Sequence, residues 1–414
     1  MKNTWYRLLT LSLALIMPMG LVSCVNVQAK ELSAGYERSV SASAQMSDDF
    51  LKVMADFSLD IFQRTLTEDA ENDLVSPLSA MLCLALVTNG ADGETLRQIE
   101  AALGMDVETL NESLYAYTAS LPDLEDSKLQ LANSIWFRDD GSISVKEDFL
   151  QTNADWYDAQ IYEAPFDNST VKDVNGWVKK HTDGMIDSIL DSIDPMTVMY
   201  LINTLVFDAK WQEEYEKKNI RDRTFYNADG SRATVDMMFS EENTYLEGEG
   251  FCGFSKNYMG GAYSFVGLLP DENTDVYDLV ATLDGEKWNA MWSSRRNAPV
   301  DVGIPEFSYD AHMNMTETLS AMGMSHMFDA EKADFSKIGE CSFGNIYCSS
   351  IEQKTFIDVS RHGTKAAAVT WGMMCGNAAP METYSVILDR PFVYAIVDNA
   401  TGLPVFLGLV SHLN

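Results

Sequence analysis

The chain has 414 residues, 46% of them hydrophobic, and its 62 acidic against 29 basic residues give a formal net charge of −33. This composition is typical of a globular protein, and the acidic excess argues against nucleic acid, heparin-like polyanions and anionic membrane surfaces as partners. The six cysteines have no metal-like spacing, so we expect neither a metal nor a cofactor.

The first residues are typical of a targeting segment. Lys2 and Arg7 precede an apolar run, 8–17, that is too short to span a bilayer. The tract 21–24, Leu-Val-Ser-Cys, resembles the lipobox of bacterial lipoproteins, in which the signal is cut before a cysteine that then carries a diacylglycerol. We expect a signal peptide over 1–23 and a lipid on Cys24, which would anchor the protein outside the cell. The alternative is an ordinary secretory signal.

Residues 24–47 are rich in Ser, Ala and Gln and lack an apolar period, which predicts a flexible stalk. Residues 48–414 contain no second linker and no internal repeat, so we expect one domain. Its remaining cysteines are odd in number, and a disulfide between Cys341 and Cys348 is left open.

Three helices are predicted near the start of this domain. Phe50 begins an apolar series at helical spacing. Ser76 is a suitable N-cap for a second helix, because Pro77 fits the first turn. Thr95 is predicted to cap a third helix that ends at Gly104.

The tract 129–137 alternates and contains aromatic residues, which predicts a strand.

A tract of small residues lies near the end of the chain. Gly363 and Thr364 lead into three alanines, 366–368, followed by Val369 and Thr370. Such a tract could join a sheet without bulk or could begin a helix, and a segment compatible with two packings suits a conformational switch.

This tract closely resembles the reactive-loop hinge of the serpins, which are protease inhibitors. Further blocks resemble the same family in family order from about residue 50 onward: 73–79, 133–136, 174–186, 203–211, 224–238, 268–270, 304–307 and 391–392. The resemblance implies an α+β serpin fold, with three β-sheets, about eight or nine helices and an exposed reactive-centre loop. It also implies a monomer without catalytic residues.

The resemblance further implies a suicide mechanism. A serine protease would attack the loop and become acylated, and the cut loop would insert into the main sheet and carry the protease with it. The hinge would comprise Gly363, Thr364, Lys365, Ala366, Ala367, Ala368, Val369 and Thr370. If Thr364 faces inward, alternation also places Ala366, Ala368 and Thr370 inward, so the inserted face is small. Spacing from the glycine places the cut bond at Asn377–Ala378, and a site up to Met381 stays open.

Other family positions lie beneath and above the main sheet. The shutter and breach positions are Ser76, Ser79, Asn203, Gln353, Trp211, Glu306 and Arg361. Gln353 stands where many serpins have a histidine. Glu306 and Arg361 exchange the signs of a commonly paired lysine and glutamate, so we expect a reversed ion pair between them.

Between Ala366 and Asp389 the chain has no Lys or Arg, so we expect elastase-like or subtilisin-like targets and not trypsin-like ones. The sequence has neither a Gly-x-Ser-x-Gly nor a His-Glu-x-x-His motif, which disfavours a hydrolase. The alternatives are a non-inhibitory serpin and a solute-binding surface lipoprotein.

Overall fold

The computed structural model describes residues 29–36, 38–40, 44–66, 72–122, 124–272, 274–364 and 383–414. The helices in these ranges are α1 (Phe50–Thr65), α2 (Pro77–Thr88), α3 (Gly93–Leu103), α4 (Val107–Ser120), α5 (Glu147–Tyr157), α6 (Asn168–His181), α7 (Val276–Thr282), α8 (Gly285–Ser293) and α9 (Thr316–Leu319). The strands are β1 (Lys30–Glu31), β2 (Asn72–Val75), β3 (Ser127–Arg138), β4 (Ile143–Val145), β5 (Gln160–Ala164), β6 (Met199–Lys210), β7 (Ile220–Tyr226), β8 (Arg232–Gly248), β9 (Phe251–Asn257), β10 (Tyr263–Pro270), β11 (Arg296–Pro305), β12 (Phe307–Asn314), β13 (Gly339–Cys341), β14 (Glu352–Ser360), β15 (Gly363–Thr364), β16 (Tyr384–Ile387), β17 (Phe392–Asp398) and β18 (Pro404–Val410).

Three sheets organise these strands. A seven-stranded sheet has the order β1-β5-β3-β6-β15-β14-β12. A nine-stranded sheet runs β16-β11-β8-β9-β10-β17-β18-β2, with β7 added beside β8, and β4 pairs with β13. The predicted α+β class with three sheets is confirmed.

The central strands of the seven-stranded sheet are covered on both faces. Leu205 and Phe207 of β6 point into the main core, which also contains α1 and α2. The opposite face has a smaller cluster, in which Trp177 of α6 packs with Trp136 of β3. Helix α6 therefore crosses the outer face of the sheet.

Helix ends match the sequence at two of three predicted caps. The Ser76 hydroxyl accepts a hydrogen bond from the Ser79 backbone N–H at the start of α2, and Gly104 ends α3 in the left-handed region with φ 70°. The cap predicted at Thr95 is wrong, because α3 begins at Gly93. The Thr95 hydroxyl instead accepts from the backbone N–H of Asp334 at 2.8 Å, a tertiary contact that the local pattern does not contain.

Part of the segment 24–47, which the sequence predicts to be a flexible stalk, contacts the folded body. Lys30 and Glu31 form β1 on the edge of β5, and Ser39 donates to the Asp155 carboxylate. The Ser47 backbone N–H donates to the Ser113 hydroxyl. The physical reason is the exposed edge of β5, whose backbone groups need partners that a polar segment can supply as well as an apolar one. Residues 24–28 lie outside the described residues.

Candidate functional site

The first two hinge residues lie inside the main sheet. Gly363 and Thr364 form β15, which pairs with β14 on one side and with β6 on the other. Within the described residues, β6 and β14 are joined through β15 and have no ladder of their own. The chain therefore enters the sheet at the point where two long strands separate.

Glycine is required at position 363 for two reasons. Its φ of 139° lies in the region that disfavours side chains, and a Cβ there would lie 2.1 Å from the Ala209 carbonyl oxygen of β6. The backbone of the hinge thus packs directly on the backbone of β6.

Thr364 faces the interior, which is the condition under which the alternation places small side chains inward. Its side chain is buried, and its hydroxyl is hydrogen-bonded to the Tyr258 hydroxyl at 2.8 Å. The remaining hinge positions 365–370, the predicted bond at Asn377 and Ala378, and Cys24 lie outside the described residues.

Two aromatic residues after β6, Trp211 and Tyr215, form what we call the platform. The platform lies beneath the turn of residues 361 and 362, which precedes the hinge and which we call the hinge turn. The indole N–H of Trp211 donates to the Ser360 carbonyl at 2.8 Å, and its backbone N–H donates to the His362 carbonyl at 3.1 Å. The backbone N–H of Tyr215 donates to the Arg361 carbonyl at 3.0 Å. The platform therefore binds the carbonyls of the three consecutive residues that precede the hinge.

The platform continues into the core through Tyr258. Its ring stacks on Trp211 with a centroid distance of 4.6 Å and an angle of 10°. Burial raises the pKa of Tyr258 well above its usual value, so its hydroxyl remains protonated and can bond Thr364. Sequence reasoning identified Trp211 and missed both tyrosines, for which the local pattern gives no distinguishing signal.

The reversed ion pair expected between Glu306 and Arg361 is not formed between their side chains. Instead, the Glu306 carboxylate accepts from the backbone N–H of Arg361 at 2.9 Å. Residues 361 and 362 are the two-residue turn between β14 and β15, so this N–H has no ladder partner and takes the carboxylate.

The Arg361 side chain contacts the next residue. Its Nε donates to Nε2 of His362 at 2.9 Å, and Nδ1 of His362 lies 2.9 Å from the Glu214 carboxylate. Since Nε2 accepts, Nδ1 carries the proton and donates to Glu214. The turn thus presents a chain of Arg361, His362 and Glu214.

The shutter residues form two polar groups between α2 and the sheet. The Gln353 amide pairs with the backbone of Ser76, accepting from its N–H and donating to its carbonyl, both at 2.9 Å. Ser79 donates to Asn203, whose amide donates to Asn133 at 2.8 Å. The structure thus brings Gln353 to Ser76 and Asn203 to Ser79, beneath the sheet.

Further observations concern the cysteines, potential metal ligands and membrane-spanning helices. Cys341 and Cys348 are both free thiols in the structure. No cluster of three or more potential metal ligands occurs among the described residues. The helices in the described ranges include none that is long and apolar enough to cross a membrane.

An open pocket of about 480 Å³ lies over the hinge turn, and it is lined by Lys217, Ile220, Asp236, Glu306, Ser360, Arg361 and His362.

A hinge that joins the main sheet between two long strands, an aromatic platform and a buried shutter are the arrangement that the sequence resemblance implied, that of a serpin-like fold. The family model described as serpin (serine protease inhibitor) matches residues 52–413, and the chain belongs to this family. Members of this family are generally inhibitors of serine proteases and not catalysts.

Curated relatives and solved structures agree with this assignment. The chain is 29% identical to the human glia-derived nexin over 82% of this chain and 87% of the relative. It is 29% identical to the leukocyte elastase inhibitor of Equus caballus over 86% of this chain and 97% of the relative. The native structure of the thermophilic serpin tengpin matches 94% of this chain and 100% of its own at 45% identity, with a TM-score of 0.88. The latent structure of tengpin matches with a TM-score of 0.80 at 44% identity.

Proposed function

We propose that this protein is a suicide-type inhibitor of elastase-like or subtilisin-like serine proteases, and that it acts by insertion of its cleaved loop. The observation that carries the proposal is the position of β15. Gly363 and Thr364 already occupy the space between β6 and β14, so a cut loop would extend an existing strand and would not have to start a new one.

The residues that follow are compatible with such an extension. Thr364 determines which side chains of an extended β15 would face inward, since its own side chain is buried against Tyr258. In an inserted strand, alternation would direct Ala366, Ala368 and Thr370 inward and Lys365 outward. The inserting strand would place small side chains in the sheet and its charge in solvent.

The choice of protease rests on the loop composition. From Ala366 to Asp389 the sequence has no basic residue, so a specificity pocket with an acidic floor finds no side chain to bind. The tract 373–379, Met-Met-Cys-Gly-Asn-Ala-Ala, offers small and apolar side chains that suit elastase-like and subtilisin-like pockets.

The test is incubation with pancreatic elastase, subtilisin, chymotrypsin and trypsin at equal concentration. We expect SDS-stable complexes with the first two, and the mass of the released carboxyl-terminal peptide identifies the cut bond. Rapid stoichiometric trapping of trypsin with elastase and subtilisin unaffected would contradict the proposed specificity. Cleavage by all four without any complex would indicate a non-inhibitory serpin.

We also propose that Cys24 carries a lipid that anchors the protein outside the cell. Because Ala29 donates its backbone N–H to Asp173 at 2.9 Å, only residues 25–28 separate Cys24 from the folded body. The five Cα–Cα steps from Cys24 to Ala29 span at most about 18 Å, so a lipid at Cys24 would keep the body next to the membrane. Fractionation of the Cys24→Ser variant tests this: it should move from the membrane to the soluble fraction, and an unchanged distribution would contradict lipidation.

A further inference from the structure

Lys256 on β9 is a buried cation directly behind the hinge platform. Its side chain is 2% exposed, and its Nζ lies 2.6 Å from the Glu242 carboxylate of β8. The same Nζ lies 4.7 Å from the ring centroid of Tyr215 and 5.4 Å from that of Trp211. The ammonium therefore contacts both aromatic rings of the platform.

Stability alone does not account for this ion pair. Replacement of both partners of a buried ion pair by apolar side chains of similar volume often leaves the stability of a protein unchanged or increases it, because the ion pair must desolvate two charges. Burial lowers the pKa of Lys256, but Tyr215 and the Glu242 carboxylate outweigh it and the pKa is raised overall. The lysine is therefore charged, and the site is built around a cation.

The ion pair fixes Tyr215 from two directions. The Tyr215 hydroxyl is hydrogen-bonded to the Ser240 hydroxyl at 3.2 Å, and Ser240 donates to the same Glu242 oxygen that accepts from Lys256. The ring thus has the ammonium over its face and a serine–carboxylate chain at its hydroxyl. Both groups belong to β8 and β9 and not to the main sheet.

This arrangement connects two sheets at the hinge. The platform residues donate to the carbonyls of Ser360, Arg361 and His362, whereas Lys256 and Glu242 belong to the nine-stranded sheet. Loss of the ammonium would remove the one group that contacts both platform rings from the side of the nine-stranded sheet in the described contacts.

We propose that Lys256, together with Glu242, is a positioning residue that fixes the platform and so keeps Gly363 and Thr364 docked between β6 and β14. The consequence for protease trapping rests on the proposed function. If the docked hinge is the start of insertion, an undocked hinge inserts later, and more loop is cleaved without trapping.

The test separates positioning from simple stability with two variants. Lys256→Met leaves Glu242 buried without its cation, so it should lower the melting temperature. The double variant Lys256→Met/Glu242→Gln removes both charges and should regain most of that stability. Both variants should nevertheless lose hinge docking, because neither has the ammonium.

Docking of the hinge is measured by amide hydrogen exchange at the backbone N–H groups of Trp211 and Tyr215. These groups donate to the carbonyls of His362 and Arg361, directly before Gly363. In the double variant we expect these amides to exchange at least about tenfold faster than in the wild type. With subtilisin, each complex formed should consume several-fold more inhibitor. The control is Arg138→Met, which removes a cation that is 10% exposed and paired with Asp140 at the far end of β3. It should lower stability without changing exchange at Trp211 or Tyr215.

Wild-type exchange and wild-type stoichiometry in the double variant would overturn the proposal and make the pair purely structural. If Lys256→Met does not fold, the double variant carries the test alone. If the wild type traps no protease, the proposed function fails, and the exchange measurement still decides whether Lys256 positions the hinge.

Discussion

At the scale of single residues, the hinge depends on Thr364, whose side chain is 2% exposed and bonded to Tyr258. Thr364→Arg would place a charge in the sheet at a cost of several kcal/mol, so the hinge should leave its site. We expect the variant to be cleaved by subtilisin without forming a covalent complex. Thr364→Ser keeps the hydroxyl and is the matched control, which should trap normally. An undiminished complex yield from Thr364→Arg would refute insertion as the mechanism.

The contact between Glu306 and Arg361 gives a second residue-scale prediction. Glu306 binds the backbone N–H of residue 361, which every side chain at that position retains. Glu306→Lys should therefore lower the free energy of unfolding by about 1–3 kcal/mol, and Arg361→Glu should not rescue it. Near-additive effects in the double-mutant cycle, measured by denaturant unfolding, are expected. Restoration of stability in the double variant would instead support a side-chain ion pair.

At the scale of elements, Gln353 joins β14 to the start of α2. Gln353→Leu removes the acceptor of the buried Ser76 N–H, and the unfolding free energy should fall by about 1–3 kcal/mol. Thr355→Val is the matched control on the same strand, where the hydroxyl bonds to the Leu74 carbonyl at 3.1 Å and to the Ala311 carbonyl at 3.5 Å are lost. The Leu74 carbonyl belongs to a strand paired with β18, so the control should cost less. Equal costs for the two variants would show that the Gln353 pairing adds nothing.

Sequence reasoning predicted those elements whose cause is local. The cap at Ser76 and the helix end at Gly104 follow from nearby residues, and the structure has both. Sequence reasoning failed at Thr95, because the partner of its hydroxyl is the distant backbone of Asp334. The fold was predicted from the order in which blocks that resemble the serpin family follow one another along the chain. Neither the Glu306 carboxylate that binds a backbone amide nor the buried Lys256 is indicated by the composition or the hydrophobic periodicity of the sequence.

At the scale of the whole molecule, the described structure has β6 and β14 joined through only the two residues of β15. A loop that inserts after cleavage would form about a dozen ladder hydrogen bonds, each worth ~0.5–1.5 kcal/mol net, or on the order of 10 kcal/mol together. At about 2 °C per kcal/mol for a large domain, the Tm should rise by roughly 20 °C.

The measurement of this rise is a melting curve before and after limited cleavage with catalytic amounts of thermolysin, a zinc protease that forms no acyl-enzyme and so is not trapped, with mass spectrometry to confirm a single cut within 365–382. Thr364→Arg cut at the same bond is the control and should melt near the uncut protein, because its hinge cannot enter the sheet. A solute-binding lipoprotein has no strand to add and would not gain stability from the cut. Identical melting of the cut and uncut wild type would therefore exclude insertion while leaving the fold assignment intact, since the fold rests on the strands and helices outside the loop.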